Sequence, residues 1–280
     1  MDDFLADVAA KTRRRVDAEK ARVGLEQLRK RLRTAAPKRS FEKALHQPGK
    51  VALIAELKQA SPSAGLIKKE DDIAGRLRAY AKGGAAALSI LTEEDYFHGS
   101  PHLLEEARAL TSLPLLRKDF IIDPYQIVES KTLGADAILL ITTLLSASLL
   151  REFIVRTQDI GLEAFVEVHD EKDLELAVEA QASLIGINNR NLRTLRVDRL
   201  NAERLLTKAP KTGVTLVVES GIRRPSELPY LRQLGAHAVL IGETLMRAED
   251  PGQKLRQLLE QAGFYPPLTT ASADWRGTIH

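Results

Sequence analysis

Cysteine is absent from the 280 residues, which excludes a disulfide framework and any thiolate nucleophile. Aromatic residues make up only 5% of the chain, with a single Trp. No apolar stretch approaches the roughly 20 residues that a membrane-spanning helix requires. The opening Met1-Asp-Asp-Phe-Leu-Ala-Asp7 lacks the basic and apolar regions of a secretory signal. Glycine patterns of the G-x-G-x-x-G or G-x-x-x-x-G-K-[ST] type do not occur. The six histidines, at 46, 98, 102, 169, 237 and 280, show no metal-ligand spacing. A cytoplasmic protein acting away from membranes, with no metal and no cofactor, is the expectation.

What the chain does contain is ordinary globular material, 44% hydrophobic and 28% charged, with an uneven distribution of charge. Residues 1–45 hold 13 Lys/Arg against 7 Asp/Glu, a net of +6, and the remainder is net −3. A basic segment of this kind suits nucleic acid or an acidic surface. Here, however, Leu5, Val8, Val16, Val23, Leu25, Leu28 and Leu32 run as an apolar stripe among the charges, the pattern of helices with a solvated basic face. No nucleic-acid partner is expected.

Eight short apolar runs follow. They are Val51–Lys58, Ala86–Thr92, Leu113–Asp119, Ala135–Thr142, Leu162–Val168, Ser183–Arg190, Thr215–Gly221 and Ala238–Glu243. Continuous apolar runs of this length suit strands buried on both faces, as in a parallel sheet covered by helices. Between them, helices are expected over 71–82, 124–133 and 225–234, each followed by glycine, and Asp123-Pro124 reads as a cap followed by proline in the first turn. Gly84-Ala-Ala-Ala-Leu, Gly134-Ala-Asp-Ala-Ile and Gly235-Ala-His-Ala-Val repeat one helix-to-strand turn. Eight such units in about 250 residues indicate an α/β fold, a (β/α)8 TIM barrel with an N-terminal helical extension. The expected domain covers residues 1–262, with 1–45 lying over the catalytic face, and 263–280 forms an irregular tail.

Barrels of this kind keep their chemistry at the C-terminal ends of the strands, and here those ends are polar. Period two puts Glu56 and Lys58 on one inward face, where a carboxylate and an ammonium should pair. Lys118 and Glu167 end the third and fifth runs and should face the same mouth. Two lysines and two glutamates converging there cost several kcal/mol each unless paired, and such a cluster suits acid/base work. Asn188 and Arg190 share a face after the sixth run; Asn both donates and accepts, and Arg grips carboxylate or phosphate. Glu219-Ser220-Gly221 and Gly242-Glu243 end the last two runs, where barrels often bind phosphate through backbone N–H groups.

These motifs together resemble the indole-3-glycerol phosphate synthase family. The likeness is carried by Ile54-Ala-Glu-Leu-Lys-Gln-Ala-Ser-Pro-Ser-Ala-Gly-Leu-Ile67, Leu88–Ser100 with Phe97 and Gly99, Leu116-Arg-Lys-Asp-Phe-Ile121, Val166-Glu-Val168, Ile187–Leu192, Val218–Ile222 and Leu240–Met246. It spans roughly Phe4 to Leu259. Ala64 stands where many members carry Lys, and Glu243 where some carry Ser. The resemblance implies ring closure of 1-(2-carboxyphenylamino)-1-deoxyribulose 5-phosphate, with loss of CO2 and water, in tryptophan biosynthesis. It makes Lys118 the general acid on the substrate carbonyl. Glu167 and Lys58 take the later proton transfers, with Glu56 and Asn188 as orienting groups, and which of them is acid or base at each step stays open. Ser220, Gly221 and Gly242 would hold the phosphate, Ser61 and Arg190 the polar ends, and Phe97 with the N-terminal helices the aromatic ring. Glu219 and Glu243 are counted among the substrate-binding residues.

Two neighbouring activities share the barrel. A Schiff-base aldolase could use Lys118 but has less need of Glu56 and Glu167, and a phosphoribosylanthranilate isomerase would favour a carboxylate acid/base pair over two lysines. The fold alone does not choose among them.

Overall fold

A computed structural model describes residues 3–32, 37–70, 72–222 and 224–264. Eight parallel strands close into a barrel: β1 (Ala52–Leu57), β2 (Ala87–Leu91), β3 (Leu115–Lys118), β4 (Ala137–Ile141), β5 (Glu163–Val168), β6 (Leu184–Asn188), β7 (Thr215–Glu219) and β8 (Ala238–Ile241). Each strand pairs with the next, and β8 closes on β1 with Ala52 opposite Ala238 and Ala55 opposite Ile241. Every expected run supplies one strand. Beyond β1 the chain makes a short antiparallel pair, Ala60–Ser61 with Gly65–Leu66.

The alternation of side chains explains why these runs are apolar throughout. Leu53, Ala55, Leu57, Leu88, Ile90, Val166, Val168 and Val218 point outward into one apolar layer beneath the helices. Ala52, Ile54, Leu116, Ala137, Leu139, Phe165, Leu184, Val217, Ala238 and Leu240 point inward and fill the barrel itself. Space inside is tight. A Cβ on Gly186 would lie 2.2 Å from the Phe165 ring and 2.4 Å from Glu219 Oε1, so β6 must carry glycine at that level.

Helices follow the strands: α4 (Ile73–Gly83), α5 (Pro101–Leu110), α6 (Pro124–Thr132), α7 (Ala147–Asp159), α8 (Glu171–Glu179), α9 (Leu200–Lys208), α10 (Glu227–Gln233), α11 (Glu243–Met246) and α12 (Pro251–Gln261). Asp123 caps α6 in a full capping box with Gln126, with Pro124 in the first turn. Asp72 caps α4, which ends at Gly84 in the left-handed region.

Before the barrel come α1 (Asp3–Arg22), α2 (Leu25–Leu32) and α3 (Phe41–Leu45). The stripe read in the sequence splits between different surroundings. Phe4 of α1 lines the cavity at the C-terminal ends of the strands, and Val8 joins the inward-facing cluster. Val16, Val23 and Leu28 pack on Tyr125 of α6. The basic face of α1 reaches the barrel: Arg15 pairs with Asp119 at 2.7 Å, and Arg13 and Lys20 pair with Asp123 at 2.7 and 2.8 Å. Short α3 lies elsewhere. Ser40 and Glu42 bond Glu163, the first residue of β5, and Thr215, the first residue of β7, donates to Glu42. Residues 40–45 therefore close the opposite end of the barrel, with fully buried Phe41 edge-on to Phe165. Residues 1–45 thus do not all lie over the strand ends as expected: α1 places Phe4 in the cavity there, and α3 lies at the opposite end. Most of the expected tail, from residue 265 on, lies outside the described residues.

Candidate active site

Strand parity builds the floor of the site. Directly above the inward apolar layer, β1, β3, β5, β6 and β7 present Glu56, Lys118, Glu167, Asn188 and Glu219. They line a cavity of about 320 Å³ at the C-terminal ends of the strands, and all thirteen residues singled out from the sequence border it. The wall also includes Phe4, Glu93, Asp119, Phe120, Leu192 and Arg247.

Lys118 is the centre of the charge cluster. Its Nζ lies 2.7 Å from Glu167 Oε2 and 2.5 Å from Glu219 Oε2, with its side chain 12% exposed. Burial alone would depress its pKa. The carboxylates of Glu167, Glu219 and Glu56 outweigh burial and hold the ammonium firmly charged, its pKa above the usual lysine range. Glu167 shows the reciprocal effect: burial opposes its ionisation, but Lys118 and His169 together keep it below the ordinary carboxylate range. Asn188 Nδ2 donates to Glu167 Oε1 at 3.1 Å, and Asn188 Oδ1 accepts from the Arg190 N–H. Lys58 and Glu56 form a separate pair at 2.5 Å.

Glu219, expected among the substrate-binding residues, borders the same cavity. It lies on the floor with the charge cluster, 2% exposed, instead of among the phosphate loops. Only Oε2 is bonded, to Lys118; Oε1 is buried with no partner. Burial, reinforced by neighbouring Glu167 and Glu56, raises its pKa to about 7 despite the attraction of Lys118.

The loops after β7 and β8 frame one end of the cavity. Ser220 and Gly221 are consecutive left-handed residues, at φ 67° and 80°. A side chain at Gly242 would place its Cβ 2.3 Å from Glu56 Oε2 and 3.2 Å from Lys58 Nζ, so glycine there leaves room for that pair. Glu243 turns to Arg247 at 2.9 Å, and the Arg190 guanidinium bonds the Leu195 carbonyl at 2.8 Å. At the opposite side Phe97 and Phe120 lie 6.2 Å apart. Phe97 is held by a residue the sequence reading passed over. Buried Glu93 accepts from the N–H groups of Asp95, Tyr96 and Phe97, shaping that loop. Ser61 accepts from the Ala64 N–H inside the turn after β1.

Two more groups were not singled out. Asp119 follows Lys118 with opposite parity, so it leaves the barrel interior and meets Arg117, Arg15 and Thr92. Its signal in the sequence was an acid two residues after Arg117 at the end of an apolar run. His169 comes two residues after Glu167 and therefore shares its side. Among the described residues, no group of three or more His, Asp or Glu is arranged to hold a metal ion.

The chain matches the family model for indole-3-glycerol phosphate synthase over residues 5–258. It is 46% identical over 262 residues to the indole-3-glycerol phosphate synthase of Carboxydothermus hydrogenoformans, covering 91% of this chain and 99% of that protein. The synthase of Acetivibrio thermocellus is 48% identical over 217 residues, covering 78% of this chain and 83% of its own length. Among solved structures, KGPDC from Streptococcus mutans superposes with a TM-score of 0.57 at 15% identity, covering 75% of this chain and 96% of that one, a likeness of fold. With a closed eight-stranded barrel and near full-length relatives of one name, the chain belongs to the indole-3-glycerol phosphate synthase family, carboxy-lyases of tryptophan biosynthesis.

Proposed function

We propose that the cavity closes the indole ring of 1-(2-carboxyphenylamino)-1-deoxyribulose 5-phosphate with Lys118 as general acid. The observation that carries this reading is a buried ammonium clamped between two carboxylates at the centre of the mouth. In ring closure the ring carbon bearing the carboxylate attacks the substrate carbonyl carbon. The carbonyl oxygen gains electron density as the new carbon–carbon bond forms, and a charged donor in a largely desolvated site stabilises that oxygen most in the transition state. Lys118 delivers its proton there, leaving a hydroxyl. Carbon dioxide then departs, and the bonding pair it leaves restores the aromatic ring. Dehydration needs a proton on the departing hydroxyl and a base for the adjacent C–H. Glu167 and Lys58 take these two transfers in this reading, which the contacts of Asn188 with Glu167 and of Glu56 with Lys58 support as orienting pairs. These steps need no cofactor, because ring closure itself expels carbon dioxide.

Ser220, Gly221 and Gly242 offer the phosphate a backbone cradle, with Arg190 as a cation at the rim; burial pulls the Arg190 pKa down, a cost that an anionic substrate offsets. Phe97, Phe120 and Phe4 supply an apolar wall for the aromatic ring. Glu219 borders the cavity from its floor and anchors Lys118 there. Three cations of α1, Arg13, Arg15 and Lys20, pair with Asp119 and Asp123 of the barrel, which supports a substrate-covering helix over a nucleic-acid surface. Among the described residues no helix is long and apolar enough to cross a membrane, and the reading places the enzyme in the cytoplasm. The test is to add the substrate to the metal-free protein and follow indole absorbance. Appearance of indole-3-glycerol phosphate with release of carbon dioxide is expected. A borohydride-trapped adduct on Lys118, without indole, would establish the aldolase reading instead.

A further inference from the structure

His169 lies just beyond β5, on the side shared with Glu167, and its side chain is 7% exposed. Its Nε2 approaches Glu167 Oε1 at 3.1 Å, as an ion-pair contact and not as an aligned hydrogen bond. Its Nδ1 lies 3.3 Å from Asp173 Oδ2, and its backbone N–H donates to the same oxygen at 2.9 Å. Asp173 is itself fixed in the first turn of α8, where its N–H bonds the capping Asp170. The charged groups around the ring are Asp173 from α8 and Glu167 from β5, with Lys118 of β3 and Glu219 of β7 behind Glu167. Burial disfavours an imidazolium there, but the two flanking carboxylates prevail, raising the pKa of His169 to about 9.

Glu167 is thus gripped at both oxygens. Oε2 takes Lys118 at 2.7 Å, and Oε1 faces Asn188 and His169. When Lys118 turns to a substrate carbonyl it loosens its hold on Oε2, and a buried carboxylate that loses its cation tends to take up a proton. The second cation, tethered from outside the cavity by Asp173, does not take part in that movement. We propose that His169 is a positioning residue for Glu167, an imidazolium held by Asp173 that keeps the Glu167 carboxylate ionised and oriented while Lys118 is engaged with substrate. This rests on the role given above to Glu167.

The consequence has a sign. If turnover requires ionised Glu167, its protonation sets the acid limb of the kcat profile. Removing a neighbouring cation favours the protonated form, so the limb moves to higher pH. The experiment compares kcat and KM against pH for the wild type, His169→Gln and Asp173→Asn, with Glu167→Gln as reference and thermal unfolding of each. For His169→Gln, the acid limb of kcat is expected to lie about one unit higher, so that kcat is about tenfold lower at pH values below the wild-type limb. The loss should vanish above both limbs, where Glu167 is ionised in each protein. KM should stay within about twofold, since the phosphate and ring contacts are untouched. Asp173→Asn should move the limb the same way by a smaller amount, and it carries the test alone if His169→Gln does not fold. A loss equal at all pH values, or an unmoved limb in both variants, overturns the proposal. If Glu167→Gln is inactive while the limb stays put, the role of His169 alone falls; if Glu167→Gln turns over normally, the role of Glu167 falls first.

Discussion

Replacing Glu219 with Gln should make the protein more stable as the pH rises, while harming turnover. The carboxyl is 2% exposed, with one oxygen on Lys118 and the other unpartnered. Burial, helped by Glu167 and Glu56, lifts its pKa from the ordinary 4.5 to about 7. A carboxyl whose folded pKa lies above its unfolded value favours folding only while protonated. Its contribution is complete below about pH 4.5 and is lost as pH rises through about 7. At roughly 1.4 kcal/mol per pH unit of displacement, the wild type gives up about 3 kcal/mol across that window, and a Gln variant does not. Gln has its own fixed cost, an amide N–H group where an oxygen went unpartnered, so the informative quantity is the change in the difference with pH. At roughly 2 °C per kcal/mol for a chain of this size, the Tm advantage of Glu219→Gln should grow by about 6 °C between about pH 4.5 and pH 8.5. Calorimetric melts of both proteins across that range measure it. A difference that stays flat, or that turns against Gln as pH rises, refutes the reasoning. Turnover should fall, because Lys118 loses one of the two carboxylates that aim it; stability gained at a strained site is commonly repaid in activity.

Lys118→Ala should reduce turnover on the order of 10²-fold or more with substrate still bound, measured as kcat against a fluorescence titration; near-normal turnover would remove Lys118 from the mechanism. Gly242→Ala forces the Glu56–Lys58 pair aside without touching the apolar core, so kcat/KM should drop about tenfold or more while Tm moves little. Deleting residues 1–32 removes α1 and α2 but keeps α3 at the far end of the barrel. The truncated protein should retain its circular dichroism and show a raised KM, an effect that salt moderates over about 10 Å if the basic residues draw in substrate; an unchanged KM would deny α1 a role in covering the site.

The barrel was legible because its two determinants are local. A run of buried residues with period two announces a strand, and the polar residue at each end announces the inward layer above the core, so Glu56, Lys58, Lys118, Glu167 and Asn188 could be placed on one floor from the sequence. Partner identity is not local. That Lys118 would lie between Glu167 and Glu219 depends on barrel closure bringing residues 49 and 101 positions away into contact, and the motif position of Glu219 pointed instead to the phosphate loops. His169 looked like one of several scattered histidines because its meaning comes from Asp173 on the next helix. Helix α3 was folded into one basic extension with α1 because five residues carry too little periodicity to reveal which end of the barrel they serve.

The clasp between α1 and the loop after β3 constrains the order in which the molecule can be completed. Arg15 meets Asp119 across 104 positions, and Arg13 meets Asp123 across 110. At synthesis rates of about 5–20 residues per second, α1 waits roughly 5–20 s after emerging before its anchors exist. Meanwhile β1 holds an open edge until its last neighbour, β8, is made, since Ala52 pairs with Ala238. The helix that pairs with Asp119 and Asp123 is thus made well before its docking place and must wait for it, with its apolar stripe exposed in the interval. Nascent chains halted before about residue 119 should expose that stripe to chaperones, whereas chains that pass it can begin to shelter it.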